Sequence, residues 1–103
     1  LGYNNPLNEI AAQGYITSPF FPIPNGCARV AVKIANNSPS NIRWYLCKDD
    51  KSYENGQSTK SLGAMNTKAT DFYIRVVCVM ADIDDCYVMD FTDNTYIWKG
   101  KKV

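Results

Sequence analysis

From Cys27 onward the chain alternates. Ala28, Val30, Val32 and Ile34 fall on one side and Arg29, Ala31, Lys33 and Ala35 on the other, the period of two that marks a strand with one buried face. Ile42, Trp44 and Leu46 repeat the pattern against Arg43, Tyr45 and Cys47. Between Asp71 and Phe91 it intensifies. There Phe72, Ile74, Val76, Cys78 and Met80 share one face and Tyr73, Arg75, Val77 and Val79 the other. Both faces are largely apolar, which suits a strand in the middle of a sheet. Asp82, Asp84 and Asp85 then read as an acidic turn that folds the chain back through Cys86 and Tyr87, making a central hairpin. Leu62, Ala64 and Met65 suit a short edge strand, and Thr95–Lys99 a last one.

The remaining segments break this rhythm. Asn5-Pro6-Leu7-Asn8-Glu9-Ile10-Ala11-Ala12-Gln13-Gly14 predicts a two-turn helix: Asn5 caps it, Pro6 suits its first position, Glu9 favours the positive end and Gly14 allows a left-handed exit. Pro19, Pro22 and Pro24 make the stretch from Tyr15 to Gly26 an extended connector, unfit for an interior strand, with Phe20, Phe21 and Ile23 as a lid on the core. Asn36-Asn37-Ser38-Pro39-Ser40-Asn41 is a polar turn expected to close a hairpin between the strands that flank it, and its first three residues fit a glycosylation acceptor. Lys48 to Thr59 reads as a long hydrophilic loop, a natural place for binding. The sum is a mainly β protein: a small antiparallel β-sandwich or barrel of roughly five to seven strands with one short N-terminal helix. It is read as a single domain, residues 1–103, with the helix and connector (1–26) packed on a β core (27–99) and a tail (100–103).

Composition adds limits. A chain of 103 residues supports one core. Its net charge of +1, from 11 Lys and Arg against 10 Asp and Glu, gives no field for nucleic-acid binding. No apolar run approaches a membrane span, so no membrane insertion by this fragment is expected. The chain starts at Leu1 rather than methionine, from which we expect a mature fragment lacking a signal peptide or anchor.

Four cysteines occur with no histidine. Their spacing lacks the two close pairs of an all-cysteine zinc site. Disulfides are the expectation, Cys27 with Cys47 and Cys78 with Cys86, joining sequence neighbours on adjacent strands. Each would add about 2–4 kcal/mol and would imply an oxidising setting: extracellular, periplasmic or cell-surface.

Without histidine there is no Ser-His-Asp or Cys-His arrangement, and Glu9, Glu54, Asp49, Asp50, Asp71 and Asp90 sit in no recognisable carboxylate-pair setting. We therefore expect no enzyme and no cofactor. Asp82, Asp84 and Asp85 carry oxygens for calcium but do not follow the twelve-residue loop pattern, so no metal site is assigned beyond that weak candidate. Seven tyrosines and two tryptophans are the other notable supply. The leading expectation is a secreted or cell-surface binding module that recognises a protein or glycan through Arg43, Tyr45, Asp49, Asp50, Tyr53 and Asn55. The alternatives are a self-associating soluble domain of a surface filament (pilin-like) or other assembly, and a small secreted toxin or inhibitor.

Overall fold

The computed structural model describes residues 15–34, 42–60 and 62–103. Their strands are β1 (Tyr15–Thr17), β2 (Phe21–Pro22), β3 (Arg29–Ile34), β4 (Ile42–Cys47), β5 (Tyr53–Thr59), β6 (Leu62–Asn66), β7 (Tyr73–Val79), β8 (Cys86–Asp90) and β9 (Thr95–Lys99), with a 3-10 turn at Met80–Asp85. They form two antiparallel sheets. Sheet A runs β1-β7-β4-β5, with β2 lying beyond β1 along β7, and sheet B runs β6-β3-β8-β9. Only β4–β5 and β8–β9 join neighbours within a sheet; the links from β2 to β3, β3 to β4, β5 to β6, β6 to β7 and β7 to β8 all cross between sheets. With β3 beside β8 and β4 beside β7, this nested wrap is the connection pattern of a jelly roll.

The alternating residues explain the core. Val30, Val32, Cys86 and Val88 of sheet B face Ile42, Trp44, Leu46, Ile74, Val76 and Cys78 of sheet A. Each of the large aliphatic side chains contributes about 1.5–3 kcal/mol by leaving water. Trp44 is wholly buried, and its Nε1–H donates to Thr59 Oγ1 at 2.9 Å, so the ring's one polar group is satisfied. At one side Phe21 stacks on Trp98, centroids 5.1 Å apart, which closes sheet A's β2 edge onto sheet B's β9 edge.

The proline-rich connector behaves as its composition demands: β1 and β2 are edge strands. Between them Ser18 stands in for the missing ladder, donating its N–H to Val76 O and accepting the Val76 N–H on its hydroxyl. Phe21 and Ile23 pack on the core as the expected lid, whereas Phe20 turns to the outer side of sheet A.

Several expectations are corrected. β7 is central, but it forms no hairpin with β8: the acidic turn carries the chain from one sheet to the other. β3 and β4 likewise lie in different sheets, so the Asn-rich segment closes no hairpin between them. The hydrophilic stretch after Lys48 is mostly strand, since β5 begins at Tyr53 and pairs with β4 from Cys47 to Ile42. None of the four cysteines forms a disulfide. Cys27 faces the core while Cys47 belongs to a cluster on the outer side of sheet A, so the sheet itself separates that pair. Cys78 and Cys86 enter the core from opposite sheets, opposite Ile16 and Ile34, rather than as hairpin partners. The inference of an oxidising compartment loses its support with them. The tail is bonded to the sandwich at its start: Gly100 N–H donates to Cys86 O and Lys102 N–H to Asp84 O. Gly100 is buried there, where a Cβ would collide with the Asp84 carbonyl. The expected helix at Asn5–Gly14 and the Asn36-Asn37-Ser38 acceptor lie outside the described residues.

Candidate functional site

Strand direction gathers four connections at one end of the sandwich: residues 23–28, 48–52, 67–72 and 91–94. Two of them enclose a half-open pocket of about 350 Å3, lined by Ile23, Pro24, Asn25, Gly26 and Cys27 on one wall and Thr67, Lys68, Ala69, Asp71 and Phe72 on the other. Local chemistry sets each wall. Asn25-Gly26 turns with Gly26 at φ +81°, a left-handed conformation that suits glycine. The turn closes when Cys27 N–H donates to Pro24 O. In the opposite loop Lys68 N–H donates to Asp71 Oδ2 while Asp71 N–H donates to Lys68 O, a reciprocal clamp. The walls are tied to each other: Ile23 N–H donates to Phe72 O, and Thr67 donates its N–H to Ala28 O and its hydroxyl to Cys27 O at 2.7 Å. The pocket is therefore preformed.

Its polar groups are unusual. Asp71 is 9% exposed, and its Oδ1 has no partner among the described groups. Burial pushes its carboxyl above the ordinary range, and the neighbouring Glu54 carboxylate pushes it further. Glu54 is held below its ordinary range, first by the Thr70 hydroxyl, which reaches Oε1 at 3.0 Å and Oε2 at 2.9 Å, and then by the neighbouring Asp71 carboxyl. Of the two neighbouring carboxyls, Asp71 is the one whose titration is raised and Glu54 the one held low. Phe72, one of the lining residues, is 48% exposed.

Cys27 is not a nucleophile. Burial and the hydrogen-bonded Asp90 carboxylate raise its thiol to about 11, so it stays protonated and unreactive at neutral pH. Asp90 itself would be raised by burial, but the N–H groups of Asp93 and Thr92 hold it low. The arrangement has an aromatic wall, donors, acceptors and no activated attacking group.

The expected binding residues are dispersed. Asp49, Asp50 and Asn55 are exposed. Asp50 is engaged locally, accepting the Ser52 N–H at 2.9 Å and hydroxyl at 2.6 Å, and Asn55 accepts the Gly56 N–H. Arg43 and Tyr53 are half-buried. Tyr45 points to the outer side of sheet A as its parity requires, yet it is 1% exposed, with Tyr53 stacked on it at 4.7 Å. Arg75 completes that covered surface: its guanidinium lies 4.1 Å from the Phe20 ring centre, with Nε donating to Ser18 O at 2.9 Å. Asp84 and Asp85 sit half-buried at the far end of the sandwich, the Asp82 side chain lies outside the description, and no cluster of three acidic or cysteine ligands occurs among the described residues.

Sequence reasoning did not find Phe72, which the alternation assigns to the inner face of β7, nor Lys68, and it weighed Asp71 only as one of several carboxylates in no recognisable pair setting. The turn-forming Asn25-Gly26 and the residues Lys68-Ala69-Thr70-Asp71 carried a loop signal, but nothing local says that the two loops meet. Among the described residues no helix is long and apolar enough to cross a membrane. Comparison with family models, with curated proteins and with solved structures finds no match to this chain.

Proposed function

We propose that this protein is a recognition module that acts by binding and not by catalysis, taking a sugar residue or similarly polyhydroxylated group of a glycan in the pocket between residues 23–27 and 67–72. The observation that carries this reading is the pairing of an exposed ring, Phe72, with polar groups on a preformed rim. A sugar presents one apolar C–H face, which stacks on an aromatic ring, and a girdle of hydroxyls, which both donate and accept. Asn25 and Lys68 supply side-chain partners of both kinds. The pocket is half-open, which suits the end or a branch of a chain.

Calorimetric titration with a panel of neutral and amino-sugar oligosaccharides tests it. Binding by the native protein, lost in Phe72→Ala and weakened in Lys68→Ala with the thermal midpoint unchanged, is the expected result. Absence of binding across the panel, or binding indifferent to Phe72, removes the pocket from consideration.

A further inference from the structure

Sheet A ends at β5 on one flank and at the β1–β2 margin on the other. The two flanks are unlike. The β1–β2 margin carries Pro19 and Pro22 and is split into strands of 3 and 2 residues, with Ser18 between them. β5 runs 7 residues without a proline. It is the longest edge strand described, since β6 and β9, the edges of sheet B, have 5 residues each.

Hydrogen-bond parity shows which main-chain groups of β5 face its open side. Val76 donates its N–H to Ser18 Oγ and accepts the Ser18 N–H on its carbonyl, so its polar groups point away from β4. Along an antiparallel ladder these directions alternate from one residue to the next. Arg75 and Val77 therefore bond to Tyr45 and Arg43 across the β7–β4 pair, and Trp44 and Leu46 bond to Gln57 and Asn55 across the β4–β5 pair. Gly56, between those two, turns its N–H and C=O away from β4. Its N–H meets Asn55 Oδ1 at 2.9 Å, an exposed contact between chain neighbours that a strand acceptor replaces at little cost.

Charge selects what can lie beside this edge. From residue 53 to residue 60 the only acidic side chain is Glu54 and the only basic one is Lys60, which is exposed. A second β5 laid antiparallel to the first, with Gln57 at the two-fold axis, sets Gly56 opposite Ser58 and Glu54 opposite Lys60, each twice. Unlike charges opposite one another stabilise a strand pair. Registers displaced by one step in either direction lose both of these pairings. Glu54 accepts the Thr70 hydroxyl and keeps acceptor capacity, because an ionised carboxylate offers about four lone-pair sites.

We propose that β5 is a self-pairing edge, through which two copies of this chain join antiparallel about Gln57 into one continuous sheet. Gly56 exchanges main-chain bonds with residue 58 of the partner subunit, and Glu54 meets Lys60 of the partner subunit. The contact is isologous, so it closes at two copies, and it covers the flank of sheet A that no proline guards. It does not depend on the pocket reading.

Sedimentation velocity and amide hydrogen exchange on the intact chain, from micromolar to near-millimolar concentration, test it. The native protein should pass from one copy to two, and exchange at the Gly56 amide should slow as it does so, while Asn55 and Gln57, already bonded to β4, should not change. Lys60→Glu on the exposed end of the strand sets carboxylates face to face and should weaken association at least about tenfold. Glu54→Lys alone should do the same, and an equimolar mixture of the two variants, in which every facing pair is again of unlike sign, should restore the dimer. A native protein that stays single at the highest concentration overturns the proposal. So does a dimer in which Gly56 exchanges as fast as in the monomer, one that is indifferent to Lys60→Glu, or assembly that continues beyond two copies.

Discussion

The two outer faces of this sandwich start from the same sequence pattern and end differently. Both are built from outward positions of alternating strands, and both carry tyrosines and long cations. On sheet A the rings cover one another: Tyr53 lies on Tyr45, Phe20 meets Tyr73 edge to face at 6.0 Å, and Arg75 packs across Phe20, leaving Tyr45, Cys47 and Val77 buried. On sheet B the central Ala31 is buried as well, but the large residues at the margins, Tyr96 and Leu62, stay open. An outward parity therefore does not make a residue a contact residue. What decides is whether another side chain lies over it, as Tyr53 lies over Tyr45.

If that contrast is right, matched substitutions should separate the faces. Tyr45→Ala should cost about 3–4 kcal/mol in urea unfolding, the scale of a buried aromatic truncation, whereas Tyr96→Ala should stay within about 0.5–1 kcal/mol. Equal losses would erase the distinction. A pH series sharpens it. Burial, opposed by Arg75 and assisted by Asp71, raises the Cys47 thiol from 9.0 to about 11, and Cys27 is raised as far. The unfolded chain releases these protons first, so stability should fall as pH climbs from 9 to 11. Cys47→Ala should flatten that fall.

Smaller effects follow. Arg75→Met removes the bond to Ser18 and should cost about 1–2 kcal/mol; Arg29→Met, on the open face, should change stability by less than about 0.5 kcal/mol. Asp71→Asn keeps an acceptor for Lys68 N–H and faces Glu54 with a neutral amide in place of a second carboxylate. It should stabilise by up to about 1 kcal/mol at neutral pH and by less in acid, where the carboxyl is already protonated. A thermal-midpoint comparison at the two pH values reads this directly.

Much of the core was legible because alternation is local. Val30, Val32, Ile42, Trp44, Leu46, Ile74 and Val76 all face inward as their spacing requires. Sheet membership was not legible, because the partners of a strand are chosen by long-range packing: the turn between β7 and β8 looks like a hairpin but changes sheets. β5 was hidden by composition. Glu54-Asn55-Gly56-Gln57-Ser58 is polar because it lies at an edge, and its ladder is supplied by β4. Even cysteine number misled, since Cys27 and Cys47 are divided by a sheet that no spacing rule reports. The pocket depended on two distant loops meeting.

The prolines of the β1–β2 edge carry one more consequence. With Pro19 and Pro22 set along β7's outer neighbour and Ser18 filling the gap, that margin presents too few amide protons to template a foreign strand. Fibril-like growth of sheet A is thus barred on one flank, and any lateral accretion must begin at β5.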